Sequence, residues 1–106
     1  MSEDNILISG CPLCGIFLDP EKYVKTKLYF PDTIEEINEN EFVIIECFSC
    51  EIPMMVLRDH IDYISNDIWR KSTYQCRKLF GRSIQFRTEM SRIKDHAHYH
   101  VIKVEY

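Results

Sequence analysis

Three histidines stand at two-residue spacing near the end of the chain, in the stretch "HAHYHVI" (96–102). Alternate residues of a β-strand point to the same face, so His96, His98 and His100 would line one face of a strand, with apolar residues on the other. A neutral imidazole can ligate a metal ion, or attack an electrophilic phosphorus atom as a nucleophile. The spacing of the three histidines therefore predicts a strand with a functional role rather than a solvated tail.

Four of the five cysteines form two Cys-x-x-Cys pairs, Cys11/Cys14 and Cys47/Cys50, with 32 residues between the pairs. Zn²⁺ takes tetrahedral nitrogen and sulfur ligands, and this spacing lets both sulfurs of one turn reach one ion. Glycines flank the first pair, which favours zinc there. The second pair follows an apolar strand, where a cysteine can also be a small buried residue. Cys76 stands alone on the apolar side of a predicted helix, so we expect it in the core.

Three ligand sets are compatible with these residues. The first is a zinc ribbon with all four paired cysteines, and the second is a mixed site in which histidines replace Cys47 and Cys50. The third gives a second metal ion to the histidines and the second cysteine pair. If 42–47 and 53–60 form a hairpin, Cys50 and His60 lie roughly 25 Å apart at about 3.3 Å per residue. One zinc ion therefore cannot take both the second pair and His60.

The hydrophobic pattern predicts an α+β fold, an antiparallel sheet with one main helix, in a single domain over 1–106. A first short strand or arm is expected within 1–9 and a turn at "GCPLCG". Ser65 or Asp62 is expected to cap the helix, and Gly81 to end it. The remaining predicted elements are strands at 22–30, 42–47, 53–60, 83–90 and 97–104, a loop or single helical turn at 31–41, and a helix at 61–80.

Composition narrows the class of protein. The net charge of −4 gives no electrostatic case for wrapping nucleic acid, which makes that partner unlikely, although Arg82, Arg87, Arg92 and Lys94 leave room for a local basic patch. The acidic opening "MSEDNILISG" is unlike a secretory signal, and no window approaches the roughly 20 apolar residues that span a bilayer. We expect a cytoplasmic protein with reduced cysteines and no membrane partner.

The stretch "HAHYHVI" resembles the His-φ-His-φ-His-φ-φ signature of the histidine-triad (HIT) superfamily, where φ is hydrophobic. Upstream, "MMVLRDHIDYIS" is similar to the family's strand that ends in a basic-His step and leads into its long helix. "GCPLCG" lies where many members carry an N-terminal Cys-x-x-Cys. The order of strands and helix matches over most of residues 10–104.

The resemblance implies a small α+β protein that binds a nucleotide or nucleotide conjugate, acts on its phosphorus bonds as a hydrolase or transferase, and often forms a homodimer. It implies that His98 is the nucleophile and that His100 supports it. It also implies a zinc site formed by Cys11, Cys14, His60 and His96.

One stretch departs from the family pattern. Active members usually carry glycine and Gln or Ser shortly before the triad, where their amides and side chains bind phosphate, whereas this chain has "TEMSRIKD". Ser91, Arg92 and Lys94 are the candidates for that role here, since cations stabilise developing phosphoryl charge. A non-enzymatic four-cysteine zinc-ribbon module that binds a protein or nucleic acid is the alternative function.

Overall fold

The computed structural model describes residues 12–24, 27–47, 52–88 and 96–104. The elements in chain order are helices α1 (Pro12–Leu18) and α2 (Pro20–Tyr23), strand β1 (Leu28–Phe30), a 3₁₀ helix (Ile34–Glu39), strands β2 (Phe42–Glu46) and β3 (Pro53–Leu57), helix α3 (Asn66–Phe80), and strands β4 (Ile84–Arg87) and β5 (His98–Lys103).

The five strands form one antiparallel sheet in the order β1-β2-β3-β5-β4. The predicted hairpin is present, with Val43 of β2 opposite Val56 of β3. Its apolar residues run without alternation because helices cover both faces of the sheet, so that β2 and β3 are buried on both sides. The predicted α+β class, with an antiparallel sheet and one main helix, is confirmed.

The core has one layer on each face of the sheet. On one face, α1 inserts Leu13, Ile16 and Phe17 against alternate residues of β2 and β3, including Val43 and Val56. On the other face, the intervening residues of β2 and β3 and alternate residues of β5 pack against helix α3. The buried residues of that second layer are Phe42, Ile44, Met55, Leu57, Cys76, Ala97, Tyr99 and Val101.

Helix α3 begins later than its apolar spacing predicts. The prediction starts at Ile61, but the helix starts at Asn66 because Ser65 has an extended backbone, and its hydroxyl accepts a hydrogen bond from the Ile68 amide at 3.2 Å. Ser65 is therefore the N-cap and Asp62 is not. The helix ends as predicted at Gly81, whose φ of +89° is a conformation that favours glycine.

Two other predicted elements are corrected. Residues 12–15 of the predicted "GCPLCG" turn are helical instead, since Pro12 opens α1 and its missing N–H is tolerated in the first turn. The strand predicted at 22–30 shortens to Leu28–Phe30, because residues from Pro20 to Tyr23 form a helical turn. Strand β3 also stops at Leu57 rather than at residue 60. The arm predicted within 1–9 lies outside the described residues.

Among the residues that the structure describes, no helix is long and apolar enough to cross a membrane.

Replacement of the N-cap should destabilise the fold measurably. Ser65→Ala removes the hydroxyl that accepts from the Ile68 amide, so the free energy of unfolding should fall by about 1 kcal/mol in urea titrations. Ser65→Asp keeps an acceptor and should stay close to wild type. Equal stability of all three proteins would contradict the assignment of Ser65 as the cap.

Candidate functional site

Three potential metal ligands from distant parts of the chain meet at one point. The Cys14 sulfur lies 3.1 Å from Nδ1 of His60 and 3.3 Å from Nδ1 of His96. One ligand atom from each residue lies within 4.8 Å of the others. Cys14 and His96 are fully buried, and His60 is partly buried. The spacing of these atoms suits coordination of a single ion.

The sheet and α1 bring these three residues together. Cys14 lies in α1 between residues that pack on the sheet, His60 follows the end of β3, and His96 precedes β5. Antiparallel pairing places the end of β3 beside the beginning of β5. Two backbone hydrogen bonds hold that junction: the Leu57 amide donates to the Ala97 carbonyl at 3.3 Å, and the Ala97 amide donates to the Ile61 carbonyl at 2.6 Å.

The hydrogen bonding of His96 orients it as a metal ligand. Its Nε2 lies 2.7 Å from the Leu57 carbonyl oxygen, which can only accept, so Nε2 carries the hydrogen. Nδ1 therefore has the lone pair, and it is the atom that faces the Cys14 sulfur. A second hydrogen bond of this kind fixes the tautomer and ring orientation of metal-bound histidines in proteins.

Three of the four predicted metal ligands, Cys14, His60 and His96, are thus brought together, and Cys11 lies outside the described residues. A cysteine with two imidazoles is a donor set that could hold a metal ion. Within the described ranges, no other group of three or more such ligands was found. Cys47 lies elsewhere, 3.3 Å from Nε2 of His100, and Cys50 is outside the described residues.

His98, the predicted nucleophile, lies on β5 opposite Val56 of β3. Directly paired residues share a face, and Val56 belongs to the layer covered by α1, so the His98 side chain lies on that face. Its Nδ1 donates a hydrogen bond to the His96 carbonyl oxygen at 2.9 Å. The hydrogen on Nδ1 leaves the lone pair on Nε2. The side chain is buried, with 8% of its surface exposed.

His100, the predicted supporting residue, is half-buried on the same face as His98, opposite Met54. The two imidazole rings lie 5.8 Å apart, nearly perpendicular at 76°. Burial lowers the pKa of His100, and repulsion from Arg87 and from the protonated form of His98 lowers it further. His100 is therefore biased towards its neutral form, in which one ring nitrogen can accept a hydrogen bond.

A cavity of about 250 Å³ lies between the beginning of α3 and the beginning of β5, on the side where Trp69 packs against Tyr99. Residue 98 is part of its lining, although the His98 ring lies on the opposite face of the sheet, which α1 covers. Tyr63 and Trp69 contribute aromatic surface, and Asp62 contributes a carboxylate. The predicted phosphate-binding residues Ser91, Arg92 and Lys94 lie outside the described residues.

No family model matches this chain, and neither does any curated protein or solved structure.

Two contacts of the site were not predicted from the sequence. The Leu57 carbonyl was missed because main-chain acceptors leave no trace in side-chain spacing. The Cys47–His100 contact could be predicted only in part. Cys47 directly follows β2 and His100 lies in β5, and both strands pair with β3. Whether the two residues meet depends on how β2 and β5 are each aligned with β3, and the sequence does not fix that register.

Measuring the metal content of variants should show which cysteine and histidine side chains bind the ion. We expect the purified chain to bind about one metal ion, and Cys14→Ser or His96→Ala to lose it, since each removes a ligand atom. Elemental analysis after gel filtration measures the ratio. A chelator should also lower the melting temperature of the wild type, because an ion bound to the folded state stabilises it.

His100→Ala and Cys47→Ala are the matched controls, since each removes the same type of side chain outside the cluster. Both should retain the metal. Loss of metal in Cys47→Ala together with its retention in His96→Ala would show that the ion is held by the second cysteine pair instead.

Proposed function

We propose that this chain is a HIT-like zinc protein that hydrolyses or transfers a nucleotidyl group, with His98 as the nucleophile. The observation that carries the proposal is the hydrogen bond from His98 Nδ1 to the His96 carbonyl, which leaves Nε2 with its lone pair. That arrangement is what attack on phosphorus requires, since a neutral imidazole is the nucleophilic form.

The hydrogen bond also supports the reaction after attack begins. As Nε2 forms a bond to phosphorus, positive charge develops over the ring, and a carbonyl oxygen on Nδ1–H stabilises that charge. The neighbouring His100 adds no opposing charge, because burial lowers its pKa and favours its neutral form. The centre of its ring lies 5.8 Å from the centre of the His98 ring, beside the proposed nucleophile.

The proposed reaction has two steps. The Nε2 lone pair of His98 attacks the phosphorus of the nucleotide, a P–N bond forms, and the bond to the leaving group breaks with its electron pair on that group. Water or another acceptor then attacks the same phosphorus, the P–N bond breaks, and its electron pair returns to Nε2. The acceptor's proton leaves to solvent or to a neighbouring base.

Zinc is the proposed ion because thiolate and imidazole together suit it, and Cys11 has the sequence spacing of a fourth ligand beside Cys14. Four protein ligands would make the site structural, leaving no open position for substrate. Its role is then to hold His96, and with it the carbonyl that orients His98.

The remaining expectations belong to this proposal. Ser91, Arg92 and Lys94 would bind the substrate phosphate, the partner would be a nucleotide or nucleotide conjugate, and the chain would act in the cytoplasm as a homodimer.

A non-enzymatic four-cysteine zinc ribbon is the alternative function. The contacts of Cys14 with His60 and His96 favour the mixed ligand set over it. So does the position of Cys47, which contacts His100.

Substitution of His98 should abolish turnover without disturbing the metal. We expect His98→Ala to lower the rate on adenosine phosphoramidate and dinucleoside polyphosphates by about 10³-fold or more, as for removal of other nucleophiles. Chromatographic product analysis measures the rate. Intact-mass analysis of acid-quenched wild type should show a nucleotidyl adduct that His98→Ala lacks.

The metal content of His98→Ala is the internal control, because it should equal that of wild type if the loss is chemical rather than structural. Equal turnover by wild type and His98→Ala would overturn the catalytic role. So would an adduct that persists in the variant.

A further inference from the structure

Charge is distributed unevenly along this acidic chain. Residues 1–57 carry three lysines against eleven carboxylates, whereas residues 58–106 carry ten basic side chains against six carboxylates. The second segment contains α3, β4 and β5. A net charge of −4 therefore conceals a basic region, and asymmetry of this kind indicates an interaction with a polyanion.

Helix α3 gathers much of this positive charge on its outer face. Its inner face packs on the sheet through Cys76 and neighbours such as Ile68 and Phe80. The exposed residues opposite recur at i, i+1, i+4, i+7 and i+8, the spacing of one helical face. We call this surface the basic face; its residues are Arg70, Lys71, Tyr74, Arg77 and Lys78.

Most of these cations are not neutralised by carboxylates. Lys71 pairs with Glu41 at 3.1 Å and with Asp67 at 3.0 Å. Arg70, Arg77 and Lys78 have no carboxylate oxygen within 4.0 Å in the described part of the chain.

The helix dipole favours cations in the last turn, which accounts for Arg77 and Lys78. It does not account for Arg70, which lies nearer the beginning of α3. A surface selected only to complement the helix dipole would not place a cation there.

An exposed aromatic ring lies among these cations. Tyr74 has 63% of its surface exposed, and Nζ of Lys78 lies 5.6 Å from the centre of its ring. Proteins bind single-stranded nucleic acids by combining cations for the phosphates with exposed rings on which bases stack. Arginine also suits phosphate because its planar guanidinium donates two hydrogen bonds at once.

We propose that the basic face binds single-stranded nucleic acid, with phosphates on Arg70 and Lys78 and a base stacked on Tyr74. The guanidinium of Arg77 lies 5.5 Å from the centre of the Phe86 ring and adds positive charge beside these contacts. Arg82 is exposed just after the end of α3 and adds one more positive charge to this part of the chain. A membrane fits this surface less well, because the exposed Leu79 lies off the face and supplies no apolar wedge. This binding is independent of the metal site and of His98.

The test measures fluorescence anisotropy of labelled oligouridine and oligothymidine over a range of salt concentrations. Arg70→Glu/Lys78→Glu should weaken binding by tenfold or more. It should also reduce the slope of log affinity against log salt by about 1.4, since each phosphate contact on a single strand contributes about 0.7. The two oligonucleotides distinguish RNA from DNA as the preferred strand.

Tyr74→Ala separates stacking from charge. It should weaken binding by about tenfold and leave the salt slope unchanged, because no phosphate contact is lost. The matched control is Lys22→Glu/Lys27→Glu, which makes the same change in net charge in the acidic half of the chain. This control should bind the oligonucleotides with higher affinity than Arg70→Glu/Lys78→Glu does.

Three results would overturn the proposal. The first is equal loss of binding in the control and in Arg70→Glu/Lys78→Glu, which would assign the effect to net charge. The second is salt-sensitive self-association by light scattering without oligonucleotide binding, which would make a second copy the occupant. The third is stronger binding to anionic lipid vesicles than to either oligonucleotide. Retained binding by His98→Ala would support independence from the proposed catalytic site.

Discussion

The contact of the Cys14 sulfur with two imidazoles is the constraint on which the site depends. It joins α1, the segment after β3 and the segment before β5, which are separated by 46 and 82 residues along the chain. An ion held there would fix the beginning of β5 relative to β3. Because His98 Nδ1 donates a hydrogen bond to the His96 carbonyl, the candidate metal ligand His96 and the proposed nucleophile are directly linked.

Much of the fold was predictable because its signals are local. The β2–β3 hairpin follows from two apolar runs, and the C-terminal end of α3 follows from Gly81. The beginning of α3 was misplaced because isoleucines at helical spacing also pack onto the core from an irregular segment. Helix α1 was missed because proline and glycine in "GCPLCG" suggest a turn, whereas packing against the sheet stabilises a helix.

The site was partly predictable for a related reason. Residue types and spacing identified Cys14, His60 and His96 as ligand candidates, and the structure brings them together. Spacing could not reveal the Leu57 carbonyl, which decides which nitrogen of His96 faces the sulfur. Net charge could not reveal the basic face either, because it sums over a chain whose two halves carry opposite signs.

In the proposed mixed site, one ion is bound by both sulfur and imidazole. X-ray absorption spectroscopy of the zinc-loaded chain tests it most directly, because it measures the atoms bound to the metal. We predict sulfur at about 2.3 Å together with nitrogen at about 2.0 Å, and multiple-scattering features from imidazole rings. A shell of four sulfurs without nitrogen would contradict the account and assign the ion to the two cysteine pairs.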